Sequence, residues 1–162
     1  MGVLLILCIT LAAIIVLCQP EKVLVAECGG KRLFAWPIEA GECFEVTFTH
    51  SLNLSPITDV IEWTGSSFIV RKSIFKSFGA GVPVPSDGIG TELIFADGHY
   101  ELLGIDKYMP DFTIMTQEIP AHRISLNGRE ASLLELAGSG KAVDIKVKRT
   151  TLISRLILSL NH

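Results

Sequence analysis

The chain shows two patterns of hydrophobic and polar residues, which meet at Pro20. Residues 3–18 form an apolar run in which Thr10 is the one polar residue. After Pro20, apolar and polar residues alternate, and turn-forming residues recur about every eight to twelve positions, as in all-β domains. We therefore predict a hydrophobic segment at 1–20, an all-β domain at 21–149 that forms an antiparallel β-sandwich or a barrel-like sheet, and a tail at 150–162.

The alternating segments predict the strands of this domain. In the third strand, Phe44, Val46, Phe48 and His50 share one face, which we expect to point inward. Asp97-Gly98 and Asn127-Gly128 supply the positive φ angles of tight hairpin turns. The predicted strands are 22–27, 32–37, 43–51, 58–64, 67–77, 91–95, 100–104, 112–119, 122–126, 130–136 and 143–148.

The hydrophobic segment at 1–20 predicts membrane targeting. As a helix, the apolar run at 3–18 is shorter than the ~30 Å core of a bilayer, which is typical of a signal peptide or a minimal anchor. Cleavage, retention as an anchor and lipidation at Cys18 compete. Leu17 stands where a lipobox has a small residue, and no small-x-small cleavage site precedes Pro20, so we favour an anchor. The domain is then expected outside the cytoplasm, in the periplasm or at the cell exterior.

Near the end of the chain, the spacing of apolar residues changes from the alternation of strands to the spacing of a helix. Leu152, Ile153, Leu156, Ile157 and Leu160 lie on one face of a predicted amphipathic helix. This helix is expected to close one end of the sheets. Contact with a membrane or a partner is the alternative, since basic residues lie nearby.

Charge and cysteine content narrow the class of protein. The net charge is −3, and clustered basic residues are not expected, so nucleic acid is not a predicted partner. The histidines are scattered and no C-x-x-C occurs, so neither a metal nor another cofactor is predicted.

If the strands at 22–27 and 43–51 are neighbours, Cys28 and Cys43 are expected to form a disulfide in an oxidising compartment, with two separate buried thiols as the alternative.

Candidate chemistry is densest at residues 48–56. His50 beside Ser51 suggests a hydrolase, but neighbouring residues of a strand point to opposite faces, so His50 does not simply serve Ser51 as a base. The sequence also lacks a Gly-x-Ser-x-Gly nucleophile elbow. A structural histidine at the end of a strand, hydrogen-bonded to a backbone carbonyl or to Asp59 or Glu62, is the favoured interpretation.

A second unusual segment, residues 76–85, combines two glycines with two prolines. Glycine frees the backbone and proline stiffens it, which predicts a shaped loop. Its successive N–H groups suit a small anion-binding nest beside Lys76 or Arg71. A tight crossover between the sheets is the simpler alternative, because Gly-Ala-Gly alone is a weak signal.

Four segments carry a family resemblance: Thr49-His50-Ser51-Leu52-Asn53-Leu54-Ser55-Pro56, Glu62, Phe75-Lys76-Ser77-Phe78-Gly79-Ala80-Gly81-Val82-Pro83 and Ala121-His122-Arg123. In order and spacing they resemble the domain of unknown function 1850 family, from about residue 23 to residue 148. The resemblance implies a small exported protein that accompanies tripartite ATP-independent periplasmic (TRAP) transporters with TAXI-type solute receptors.

These observations favour an accessory protein of a solute-uptake system over an enzyme. We expect it to be tethered to the membrane and to contact a TRAP transporter permease or its solute receptor. A small-anion module, in which His50, Arg123 and the backbone of 79–81 bind a carboxylate, is the alternative, and a hydrolase using His50 is the third. The predicted contact surface comprises His50, Ser51, Asn53, Ser55, Pro56, Glu62, Ser77, Phe78, Gly79, Ala80, Gly81, Pro83, His122 and Arg123.

Overall fold

A computed structural model of the protein describes residues 2–78, Val82 and residues 85–154. The described helices are α1 (Gly2–Leu17) and α2 (Leu133–Ala137), and a 3₁₀ turn occupies Pro85–Asp87. The described strands are β1 (Pro20–Cys28), β2 (Lys31–Pro37), β3 (Cys43–Thr49), β4 (Pro56–Trp63), β5 (Phe68–Phe75), β6 (Glu92–Ala96), β7 (His99–Met109), β8 (Phe112–Met115), β9 (Arg123–Leu126), β10 (Arg129–Ser132) and β11 (Ala142–Thr151).

The strands form two antiparallel sheets. One has four strands in the order β2-β1-β11-β8, and the other has seven in the order β10-β9-β3-β4-β5-β7-β6. The predominantly β, antiparallel character is therefore confirmed. The barrel-like alternative is wrong, because each sheet ends in edge strands and does not close on itself.

Side chains from both sheets contribute to one hydrophobic cluster. Leu24 and Ile145 of the smaller sheet belong to it together with Phe44 and Phe68 of the larger sheet, and all four are buried. Phe112 of β8 reaches the larger sheet, with its ring centroid 5.5 Å from that of Phe68. As predicted, the even-numbered face of β3 points inward.

The predicted hairpins are confirmed, whereas several predicted strands are too long: those at 43–51, 67–77 and 112–119 end at Thr49, Phe75 and Met115. Asp97 and Asn127 have φ angles of 52° and 49°, as the tight turns between β6 and β7 and between β9 and β10 require. The strand predicted at 130–136 ends at Ser132. The Ser132 hydroxyl accepts a hydrogen bond from the Glu135 amide and begins α2, since an N-cap serine favours a helix over further strand.

The predicted disulfide is absent: Cys28 and Cys43 are free thiols. The prediction assumed that their strands are neighbours, but β1 and β3 belong to different sheets. Cys28 ends β1 and packs against the core, and Cys43 begins β3 with an exposed side chain. The prediction assumed the wrong strand order, because β1 pairs with β11, which is distant in the sequence.

The two ends of the chain are described only in part. Helix α1 has 16 residues. Within the described residues, no helix combines the length and the apolar character that a membrane crossing needs. Strand β11 continues to Thr151, beyond the predicted boundary at 149, and 155–162, which hold most of the predicted amphipathic helix, lie outside the described residues.

Candidate functional site

The turn between β3 and β4 is held by a compact set of hydrogen bonds. The amide of His50 donates to the Ser55 carbonyl at 2.9 Å, and the amide of Leu54 donates to the His50 carbonyl at 2.9 Å. The His50 Nδ1 atom accepts from the amide of Leu52 at 3.3 Å. The Nδ1 atom of the His50 ring is thus engaged by backbone amides of its own turn, a type of partner that the sequence did not predict for this histidine.

Asn53 joins this turn to the end of β5. Its Nδ2 atom donates to Ser77 Oγ at 3.1 Å, and its Oδ1 atom accepts from the Ser55 hydroxyl at 2.8 Å. The Ser55 and Ser77 hydroxyls are 3.3 Å apart. Three predicted site residues therefore form one partly buried network, which fixes the turn against the chain that follows β5.

Apolar side chains project from this fixed turn. Leu52 and Leu54, on either side of Asn53, are 71% and 67% exposed, and Phe78, next to Ser77, is 46% exposed. Leu54 has a φ angle of 52°, which costs energy for a residue with a Cβ and a bulky side chain. We call Leu52, Leu54 and Phe78 the apolar rim. Exposed apolar residues are common on protein surfaces, so the rim is of interest because its three members adjoin one hydrogen-bonded network.

Other predicted site residues lie at the margins of this turn. Ser51 is exposed within it, and Pro56 begins β4 beside it. Four residues of the predicted surface lie outside the described residues, so the predicted anion-binding nest falls there too: Gly79, Ala80, Gly81 and Pro83.

Two residues of the predicted surface point elsewhere. Glu62 lies six positions along β4 from Pro56, about 20 Å away at the rise of a strand, and its carboxylate pairs with Arg71 at 2.7 Å. The Arg123 guanidinium pairs with Glu130 at 2.6 Å on an exposed face. Glu62 and Arg123 therefore each have an oppositely charged partner, and the anion site stays a prediction because its backbone at 79–81 lies outside the described residues.

His122 faces the interior. Its ring lies 5.2 Å from the Phe48 ring, and burial lowers the pKa of its imidazole. The Nδ1 atom of His122 is buried and has no hydrogen-bond partner among the described residues. A buried polar atom without a partner is costly, so a water molecule or a bound group is expected at this nitrogen.

His122 and Phe48 line a partly open cavity of about 410 Å³ between the two sheets. Most of the lining is apolar and comes from both sheets, including Val46 of β3 and Phe112 of β8. Three other lining residues are polar: Asp59, Ser73 and Lys107. The volume lies within the range of about 300–1,000 Å³ that is typical of small-molecule sites.

Three of the polar residues that line the cavity, Asp59, Ser73 and Lys107, were absent from the surface predicted by sequence. Asp59 carried the detectable signal, because Ile57, Asp59 and Ile61 occupy alternate positions of β4 and the two isoleucines are buried. An acidic residue in an inward register is unusual. Burial raises the pKa of Asp59, and the neighbouring Ser73 hydroxyl and Lys107 ammonium oppose that shift.

Side chains that could ligate a metal ion are not grouped in the described part of the chain. Over the part of the chain that the structure describes, no three histidine, cysteine, aspartate or glutamate side chains are grouped to hold a metal ion. The family model described as Domain of unknown function (DUF1850) matches residues 44–133, slightly more than half of the chain. Searches of the curated proteins and of the solved structures found no match.

Proposed function

Because the chain belongs to the DUF1850 family, we propose that it is an extracytoplasmic accessory protein of a TRAP-type solute-uptake system. In this proposal the two sheets form a β-sandwich that is exported or tethered through the apolar segment at 1–20. The protein acts by contact with the transporter permease or its solute receptor, and it is not an enzyme. Support for the choice of partner comes from the family resemblance.

The observation that carries the proposal is the apolar rim. Protein interfaces place apolar and aromatic anchors at their centre and polar groups around them. Leu52, Leu54 and Phe78 provide such anchors, and Asn53 and Ser77 are hydrogen-bonded between them. A pre-organised turn loses little conformational entropy on binding, which favours recognition by protein contact.

The alternatives receive less support from the geometry. Carboxylate binding through His50 and Arg123 would require the guanidinium to leave Glu130. A hydrolase would require a nucleophile beside His50, whose Nδ1 atom accepts from backbone amides of its own turn. Protein contact requires no rearrangement of these groups.

Affinity purification from native membranes tests the proposal. The full-length chain, tagged and expressed at its native level, should enrich a transporter membrane component or its receptor. Leu54→Asn should reduce that enrichment about tenfold or more, because an interface anchor is worth over ~1.4 kcal/mol. Asparagine tolerates a positive φ angle, so the turn should be retained.

A matched control is available in α2. Leu136 is 47% exposed and lies outside the apolar rim. Leu136→Asn should leave the enrichment unchanged. If neither transporter component is enriched by the native chain, or if both variants behave like it, the proposed contact surface is wrong.

A further inference from the structure

The cavity between the sheets is distinct from the apolar rim and carries an inference of its own. A row of cross-strand partners runs across the larger sheet: Ile124 opposite Val46, Val46 opposite Asp59, Asp59 opposite Ser73 and Ser73 opposite Leu102. The three apolar members are almost fully buried, as is Ser73. A carboxyl and a hydroxyl therefore occupy the centre of an apolar sheet face.

Asp59 has no ion pair among the described residues. Lys107 lines the same cavity with an exposed side chain, and its charge offsets the desolvation of Asp59 only in part. Removing a carboxylate from water without a full partner is expensive. A cation placed beside Asp59 would supply the missing charge, with Ser73 Oγ as a second hydrogen-bond acceptor.

From this arrangement we propose that the cavity binds a small, largely apolar organic molecule carrying one primary ammonium group, with Asp59 as its counter-ion. The apolar body packs against the side chains of both sheets, including Val46 and Phe112. His122 lies at the far end of the cavity. Two strand spacings and two residues separate it from Asp59, which gives about 12 Å between Cα atoms.

This separation limits the role of each polar group. Asp59 and Ser73 contact the ammonium group, whereas His122 lies too far away to share it. The unpaired Nδ1 atom of His122 offers a hydrogen-bonding position for a second polar group at the other end of a longer ligand. The ligand chemistry is thus a cationic end and an apolar body of limited size.

Titration calorimetry on the full-length protein in detergent tests the proposal. The probes are phenethylamine and alkylamines from propyl to octyl, with the matching alcohols and carboxylates. An amine should bind about tenfold or more tightly than its alcohol, since a hydrogen bond to a charged group is worth more than one to a neutral group. Asp59→Asn should remove this preference, and Asp111→Asn, at an exposed position, should retain it.

Two further variants keep the test decisive if Asp59→Asn does not fold. Ser73→Ala should weaken amine binding, and Lys107→Met should leave it unchanged or strengthen it, because a competing positive charge is removed. Equal affinity for amines and alcohols would overturn the proposal, as would no binding of any amine. Preferential carboxylate binding that Lys107→Met abolishes would also overturn it. None of these measurements involves the transporter, so the result is independent of the proposed docking.

Discussion

Contact between Phe68 and Phe112 can be tested directly as the link between the two sheets. Phe68 is fully buried in β5 of the larger sheet, and Phe112 belongs to β8 of the smaller one. Their ring centroids are 5.5 Å apart and the ring planes meet at 77°. This edge-to-face geometry is favourable, so the pair should contribute about 0.5–1.5 kcal/mol beyond its buried area.

Urea unfolding of Phe68→Leu, Phe112→Leu and the double variant would measure that contribution. Each single variant should lose free energy of unfolding. The sum of the two single losses should exceed the loss in the double variant by about 0.5–1.5 kcal/mol. Phe95→Leu, at an exposed position of the edge strand β6, should combine additively with Phe112→Leu. Additive losses for the Phe68 and Phe112 pair, within ~0.3 kcal/mol, would refute the packing of the sheets through these rings.

Two acidic residues should affect the free energy of unfolding with opposite dependence on pH. Hydrogen bonds from Lys146 at 2.8 Å and Lys148 at 2.5 Å lower the pKa of Glu27, so Glu27→Gln should cost about 1–2 kcal/mol of unfolding free energy near neutral pH. That cost should shrink as the pH falls through the lowered pKa, and a constant cost would contradict it. Burial raises the pKa of Asp59, so the stability of the native chain relative to Asp59→Asn should fall as the pH rises from about 4 through that raised pKa. Urea unfolding of both chains at several pH values measures this difference in stability. A difference that does not vary with pH would contradict the prediction for Asp59.

Local signals in the sequence predict local structure well in this protein. Alternation identifies the inward face of β3, because one face of that strand is buried and the other is exposed. The dipeptides at Asp97 and Asn127 predict their turns because few residues adopt the required positive φ angles. Each of these features is decided by neighbours in the chain.

Strand order and bulges are decided by contacts between residues that are distant in the chain. The alternation of apolar and polar residues does not predict them. Cys28 and Cys43 were expected on neighbouring strands, yet β1 pairs with β11 from the other end of the chain. In β5 the register shifts between Val70 and Lys72. The shift reverses the alternation, so that Ser73 is buried where the uninterrupted pattern placed Ile74.

That register shift connects the fold to the cavity. Without it, Ile74 would occupy the inward position, and the sheet would present an apolar face beside Asp59. With it, a hydroxyl stands opposite the Asp59 carboxyl. Packed apolar residues in place of buried polar groups are often neutral or stabilising, so stability alone does not explain the presence of both groups in this row. A bulge, an inward aspartate and an unpartnered histidine nitrogen lie at one cavity, and together they support the ammonium site proposed above.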